Sequence, residues 1–150
     1  MRLALSTDYA LRLLMLVALE PERLVTIEEV ADRFSISKNH LMKVAYQLGQ
    51  AQYLETVRGR RGGLRLGKAP DQIVVGEVVR TMEPDFAVVE CEISAGHCRI
   101  ASCCTLRTAM REAVQAFLEV LDRYTLEDLL RPKSGLRRLL GMSLTKKQAA

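Results

Sequence analysis

Between two short alternating segments, Y-L-E-T-V at residues 53–57 and L-R-L at residues 64–66, lies R-G-R-R-G-G, residues 58–63. Alternation of apolar and polar residues reads as strand, and the glycines permit a tight reversal, so the segment is expected to be a β-hairpin. Arg58, Arg60 and Arg61 crowd like charges at its tip, which is hard to justify for stability. Against a phosphate backbone the same arginines become favourable, because each contact releases counterions. The hairpin thus restricts both the elements that can precede it and the partner it can meet.

Two start signals lie upstream. T-I-E-E, residues 26–29, has the pattern of a capping box in which Thr26 and Glu29 satisfy each other's backbone donors. The helix it opens is short, because F-S-I-S follows at residues 34–37. Ser37 then caps a helix with Leu41, Val44, Ala45 and Leu48 on one face, leaving Lys38, Asn39, His40, Lys43 and Gln47 off the apolar stripe. Two short helices split by a tight turn form a helix-turn-helix, and a basic hairpin behind it makes a winged helix. Charge supports that reading. Residues 38–68 hold seven Lys/Arg against the single acid Glu55, a net +6, so the remaining residues of a +4 chain carry −2. A local basic patch points to a polyanion such as duplex DNA.

The other helices follow from periodicity. Ser6 or Thr7 is placed to cap a first helix running to about Glu20, with Leu11, Leu14, Met15 and Ala18 as its inward face. Asp8 falls in its first turn, where a carboxylate favours the helix dipole. Pro70 closes the wing, residues 73–83 predict a short helix stopped by Pro84, and Thr125 starts another. The longest helix is expected from Ser102 or Cys103 to about Tyr124, with Leu106, Met110, Ala113, Phe117 and Leu121 in one stripe. After a complete winged helix, that stripe is available to a second subunit. Beyond Pro132 the chain reads as a basic, irregular tail.

All four cysteines of the 150-residue chain, Cys91, Cys98, Cys103 and Cys104, lie within residues 91–104. Such clustering suggests a soft-metal site. A structural zinc site usually shows a tight C-x2-C pair, which is lacking here. Disulfides need an oxidising compartment, and the N-terminus has no signal-peptide h-region. The apolar run of residues 11–19 is interrupted by Arg12 and too short to span a bilayer. A cytoplasmic protein carrying an iron–sulfur cluster on a cysteine loop fits these facts, beside the plainer possibility of unrelated thiols. Two histidines without a catalytic neighbourhood argue against an enzyme.

S-T-D-Y-A-L-R, S-K-N-H-L-M-K-V, V-R-G-R-R-G-G-L-R-L and C-x6-C-x5-C before a long helix, taken together over residues 1–142, resemble the iron–sulfur winged-helix repressors. The match is most similar to their nitric-oxide-sensing branch. The resemblance implies a homodimer with crossed long helices on a palindromic operator, released when nitric oxide modifies or removes the cluster. It implies cluster ligation by Cys91, Cys98 and Cys104, with Cys103 left over. The fourth ligand is implied to be Asp8 of the partner subunit. A 4Fe–4S cluster is favoured, with 2Fe–2S left open. Members that govern cluster assembly use a histidine three residues past the last cysteine, where this chain has Arg107. Iron-responsive members carry Asn where this chain has Asp8. An iron-responsive or redox regulator of the same fold is the alternative, ahead of a redox protein that binds no DNA.

The expected architecture is therefore mainly α with a small β-hairpin wing. Residues 1–84 make the winged-helix DNA-binding domain, 85–104 the cluster loop, 105–131 the dimerisation helix with a short terminal helix, and 132–150 a flexible tail. DNA contacts are assigned to Lys38, Asn39, His40, Lys43, Arg58, Arg60 and Arg61.

Overall fold

The computed structural model describes residues 2–93 and 98–142. Its organising element is α1, Leu5–Leu19, which packs on five of the elements that follow it. Ala10, Leu13, Leu14, Leu16, Val17 and Leu19 are buried around nearly its whole circumference. Of the inward face expected from the sequence, Leu14 and Ala18 are buried while Leu11 and Met15 are half-buried; burial extends instead round most of the C-terminal half, where no charged residue follows Arg12. Its start also differs. Ala4, not Ser6 or Thr7, is the N-cap, and the Ala4 N–H donates to Glu83 Oε1 at 2.9 Å. A side chain 79 residues away in sequence replaces the local cap.

The helix-turn-helix consists of α2, Ile27–Phe34, and α3, Lys38–Gln50. Thr26 Oγ1 accepts from the Glu29 N–H at 3.1 Å, as the sequence predicts. The box is not reciprocal, since the Glu29 carboxylate takes hydrogen bonds from Arg23 and Arg33 instead. Ser35, at φ 54°, ends α2. Ser37 is the N-cap of α3, with no hydrogen bond from its side chain.

The wing pairs β1, Leu54–Val57, with β2, Gly63–Leu66, in an antiparallel ladder from Leu54↔Leu66 to Val57↔Gly63. Its tip needs glycine at two positions. Gly59 sits at φ +115°, and a Cβ on Gly62 would lie 2.2 Å from the Val57 carbonyl oxygen. Val25, ahead of α2, exchanges backbone hydrogen bonds with Leu64, tying the wing to the helix pair.

After a 3₁₀ turn at Pro70–Gln72 comes α4, Val75–Met82. It starts two residues later than expected because residues 73 and 74 stay extended. The Ile73 carbonyl accepts from the Leu126 N–H at 2.8 Å, and Val74 bridges to Thr125. Then follow the single-turn α5, Glu90–Ile93, a 3₁₀ turn at Ala101–Cys103, and α6, Thr105–Leu121. Ser102 and Cys103 thus precede the long helix, and Cys104 is its N-cap. Thr125 caps α7, Leu126–Leu129, in a full capping box with Asp128.

Residues 133–142 correct the expectation of an irregular tail. Lys133–Leu139 form α8, and Arg137 is 4% exposed. Arg137 donates to the Leu19 carbonyl at the end of α1 and to Glu20 Oε1 at 2.9 Å. It thereby satisfies a terminal helix carbonyl that has no partner within α1. Met142 is buried, and Leu136 and Leu140 pack on the main core. The rest of the expected tail, residues 143–150, lies outside the described residues.

Candidate nucleic-acid interface and cysteine loop

The apolar face of α3 is buried through Leu41, Val44, Ala45 and Leu48, so Lys38, Asn39, His40, Lys43 and Gln47 are exposed together. Arg58, Arg60 and Arg61 are exposed at the wing tip. The seven cations of the basic window are not equivalent. Lys38 pairs with Glu28 of α2, whose carboxyl the Lys38 hydrogen bond holds below its ordinary range. Arg65 pairs with Glu55 across the hairpin at 2.6 Å, and Lys68 lies 4.9 Å from the Tyr53 ring centroid. Lys43, Arg58, Arg60 and Arg61 have no ion-pair partner among the described residues. Their charge is therefore available to an external anion. The His40 ring stands 5.9 Å from that of Tyr9, tilted by 57°, which links α3 to α1. Sequence reasoning missed Met42 and Tyr46, 54% and 69% exposed on α3. They line an open groove with Leu5 and Tyr9, and their spacing of four, opposite the buried stripe, was the available signal.

On the cysteine loop, Cys91 belongs to α5, Cys98 precedes the 3₁₀ turn, and Cys104 caps α6. These three are half-buried and Cys103 is exposed; all four are free thiols. The Cys103 thiol is directed to the Ile100 carbonyl at 3.6 Å. His97 lies outside the described residues. Among the described residues no three His, Cys, Asp or Glu side chains converge as they would on a single metal ion. The structure therefore does not bring Asp8 into one group with Cys91, Cys98 and Cys104. Asp8 instead pairs with Arg12 at 2.8 Å, with both side chains more than 40% exposed.

The donor set suits an iron–sulfur cluster, in which each thiolate takes a different iron and the sulfurs need not converge on one point. Cys104 stands at the α6 N-terminus, the positive end of the helix dipole, where an anionic group is favoured. Arg107, in the first turn of α6 and half-buried, has an Nε shielded from solvent without a hydrogen-bond partner.

The family model described as Rrf2, iron-dependent transcriptional regulator, matches residues 3–132. Among curated relatives, the HTH-type transcriptional regulator NsrR of Bacillus subtilis (strain 168) is 50% identical over 144 residues, covering 95% of this chain and 99% of that one. NsrR of Bacillus licheniformis is 49% identical over 142 residues, with coverage of 93% and 99%. Among solved structures, CymR, the global cysteine regulator of B. subtilis, superposes with a TM-score of 0.68 at 27% identity, over 86% of this chain and 95% of CymR. IscR of T. potens shares the fold, with a TM-score of 0.72 at 21% identity over 99% and 96% of the two chains. A helix-turn-helix with its wing and this match from end to end lead to one conclusion: the chain belongs to the Rrf2 family of DNA-binding transcriptional regulators and is similar to its NsrR members over nearly all its length.

Proposed function

We propose that this chain is a cytoplasmic, iron–sulfur cluster-dependent repressor that responds to nitric oxide by releasing a palindromic operator. The observation that carries the reading is the position of Cys104. It caps α6, with Cys91 and Cys98 half-buried on the loop leading to it, in a chain half identical to regulators named NsrR. Cys91, Cys98 and Cys104 hold a cluster, 4Fe–4S by preference over 2Fe–2S. When bound, it supplies an iron at which a diatomic effector reacts.

In this reading the chain's own residues do the rest. Arg58, Arg60, Arg61 and Lys43 meet phosphates, and Lys38, Asn39 and His40 enter the major groove from the N-terminal turn of α3. Residues 1–84 form the DNA-binding unit. The homodimer forms along α6, where Leu106, Ala109, Ala113, Ala116 and Val120 recur at heptad spacing and are exposed. Asp8 completes the ligand set from the partner subunit. Its exposed pairing with Arg12 is of a kind worth only about 0.2–1 kcal/mol, so it is easily exchanged.

Cysteine substitution tests the assignment. Cys91→Ala, Cys98→Ala and Cys104→Ala should each lose the brown chromophore after anaerobic purification. Cys103→Ser should keep both chromophore and operator binding. Loss in Cys103→Ser with retention in Cys104→Ser would reverse the assignment. A second reading, a regulator of iron status, is favoured by the iron-dependent description of the matching family. It predicts operator release on iron chelation at levels of nitric oxide that leave the complex intact.

A further inference from the structure

One half-buried arginine close in sequence to Cys104 has a solvent-shielded nitrogen without a partner. Arg107 stands three residues beyond Cys104, in the first turn of α6. Helical side chains lean toward the N-terminus and residues three apart share a face, so Arg107 reaches back over the turn that Cys104 caps. Its Nε is shielded from solvent without a hydrogen-bond partner, one of two such side-chain atoms among the described residues. The other is the hydroxyl of Thr7, which is neutral. A guanidinium keeps its charge and has no lone pair with which to bind iron, so Arg107 can serve only as a donor and a cation. No ion pair or hydrogen bond of Arg107 occurs among the described residues. Such a group is accounted for when an acceptor is missing from the chain alone.

Building on the cluster reading above, we propose that Arg107 is a positioning residue for the cluster, donating hydrogen bonds to sulfur beside Cys104 and offsetting negative charge there. Three thiolates and a carboxylate bring four negative charges to the site, and Arg107 is the cation held at its edge. Hydrogen bonds and positive charge next to cluster sulfur favour the reduced state, so Arg107 raises the reduction potential and slows cluster loss.

The test compares full-length wild type, R107M and R107K after anaerobic cluster loading. Three quantities are read: the cluster's midpoint potential, the rate of chromophore loss to an iron chelator, and the thermal midpoint of each apo form. R107M is expected to load the cluster at a lower potential and lose it on the order of 10-fold faster. R107K should fall between. The apo midpoint of R107M should match or exceed wild type, because a solvent-shielded donor without a partner has been removed. An R107M protein that stays folded in its apo form but cannot hold the cluster supports the proposal equally. Unchanged potential and loss rate would overturn the proposal, as would an apo form destabilised as much as the holo form. A change in dimer affinity alone would also overturn it, assigning Arg107 to a partner carboxylate instead. Should R107M not fold, R107K decides: a shifted potential with an unchanged apo midpoint supports the proposal, and an unshifted potential overturns it. A wild type that is colourless after loading removes the cluster reading itself, before any variant is compared.

Discussion

Helices α1 and α6 are of similar length and both rich in apolar residues, yet their surroundings are opposite. Eight of the fifteen residues of α1 are buried, whereas Leu118 alone is buried among the seventeen of α6. The apolar surface of α1 is covered by its own chain: α3 and α4 pack on it, as do β2 and α7. On α6 one flank, Val114, Phe117, Leu118 and Leu121, closes a small cluster with Val75 and Val79 of α4. The other flank, from Leu106 through Ala113 to Val120, faces solvent. Apolar content therefore predicts that a helix will be covered but not by what. The small residues at the centre of the open flank suit close approach of a second helix, and in our reading that helix is α6 of another copy.

The contrast can be broken at either end. Leu13 is fully buried in α1, and Leu13→Ala should destabilise the fold by about 2–5 kcal/mol in chemical denaturation, through lost burial and the cavity left behind. Leu106→Ala, at a position 57% exposed, should change the denaturation of the isolated subunit by no more than about 0.5 kcal/mol. Ala113→Glu should leave that fold intact yet weaken the dimer on the order of 100-fold, about 2.7 kcal/mol, because a two-fold interface sets each charge against its own copy. Sedimentation at several concentrations checks it; a dimer that persists would remove α6 from the interface.

A smaller effect tests the unpaired wing cations. Replacing Arg60 and Arg61 by alanine should weaken binding to every duplex similarly and reduce the salt slope by about 2. Changing Arg65, already paired with Glu55, should reduce it less.

The smallest expected effect concerns the ionic chain at the end of α1. The carboxyl of Glu29 is held below its ordinary range, first by the Arg23 hydrogen bond and then by Arg33, against partial desolvation. A lowered carboxylate pKa adds stability that is present above the ordinary value and fades as pH falls through the folded one. Glu29→Gln should therefore flatten the acid limb of the stability curve. The loss near neutrality should be roughly 0.2–1 kcal/mol, as these side chains remain partly exposed.

What could be read from the sequence was what neighbours in sequence decide. The helix-turn-helix, the wing, the Thr26 and Thr125 caps and the exposed residues of α3 all follow from local pattern. The start of α1 was hidden because the N–H of its N-cap, Ala4, is served by Glu83, far along the chain. Helix α8 was hidden because Arg137 reads as tail charge, while its role is to satisfy the end of α1. Charge counting found the basic window but could not tell Lys38 and Arg65, which have carboxylate partners, from Arg58, Arg60 and Arg61, which have none among the described residues. At the cysteines, clustering indicated a soft-metal site, whereas the ligand set came from resemblance. The single chain pairs Asp8 with Arg12 and does not group it with the cysteines.

The most direct test of the cluster as the switch is an anaerobic nitric oxide titration of the loaded wild-type protein on its operator. Cluster absorbance and DNA binding are followed in the same sample. Both should fall together over the same equivalents of nitric oxide, and an apo form lacking Cys91, Cys98 and Cys104 should show no response. Operator binding that persists after the cluster absorbance has gone would contradict the cluster's role as the switch.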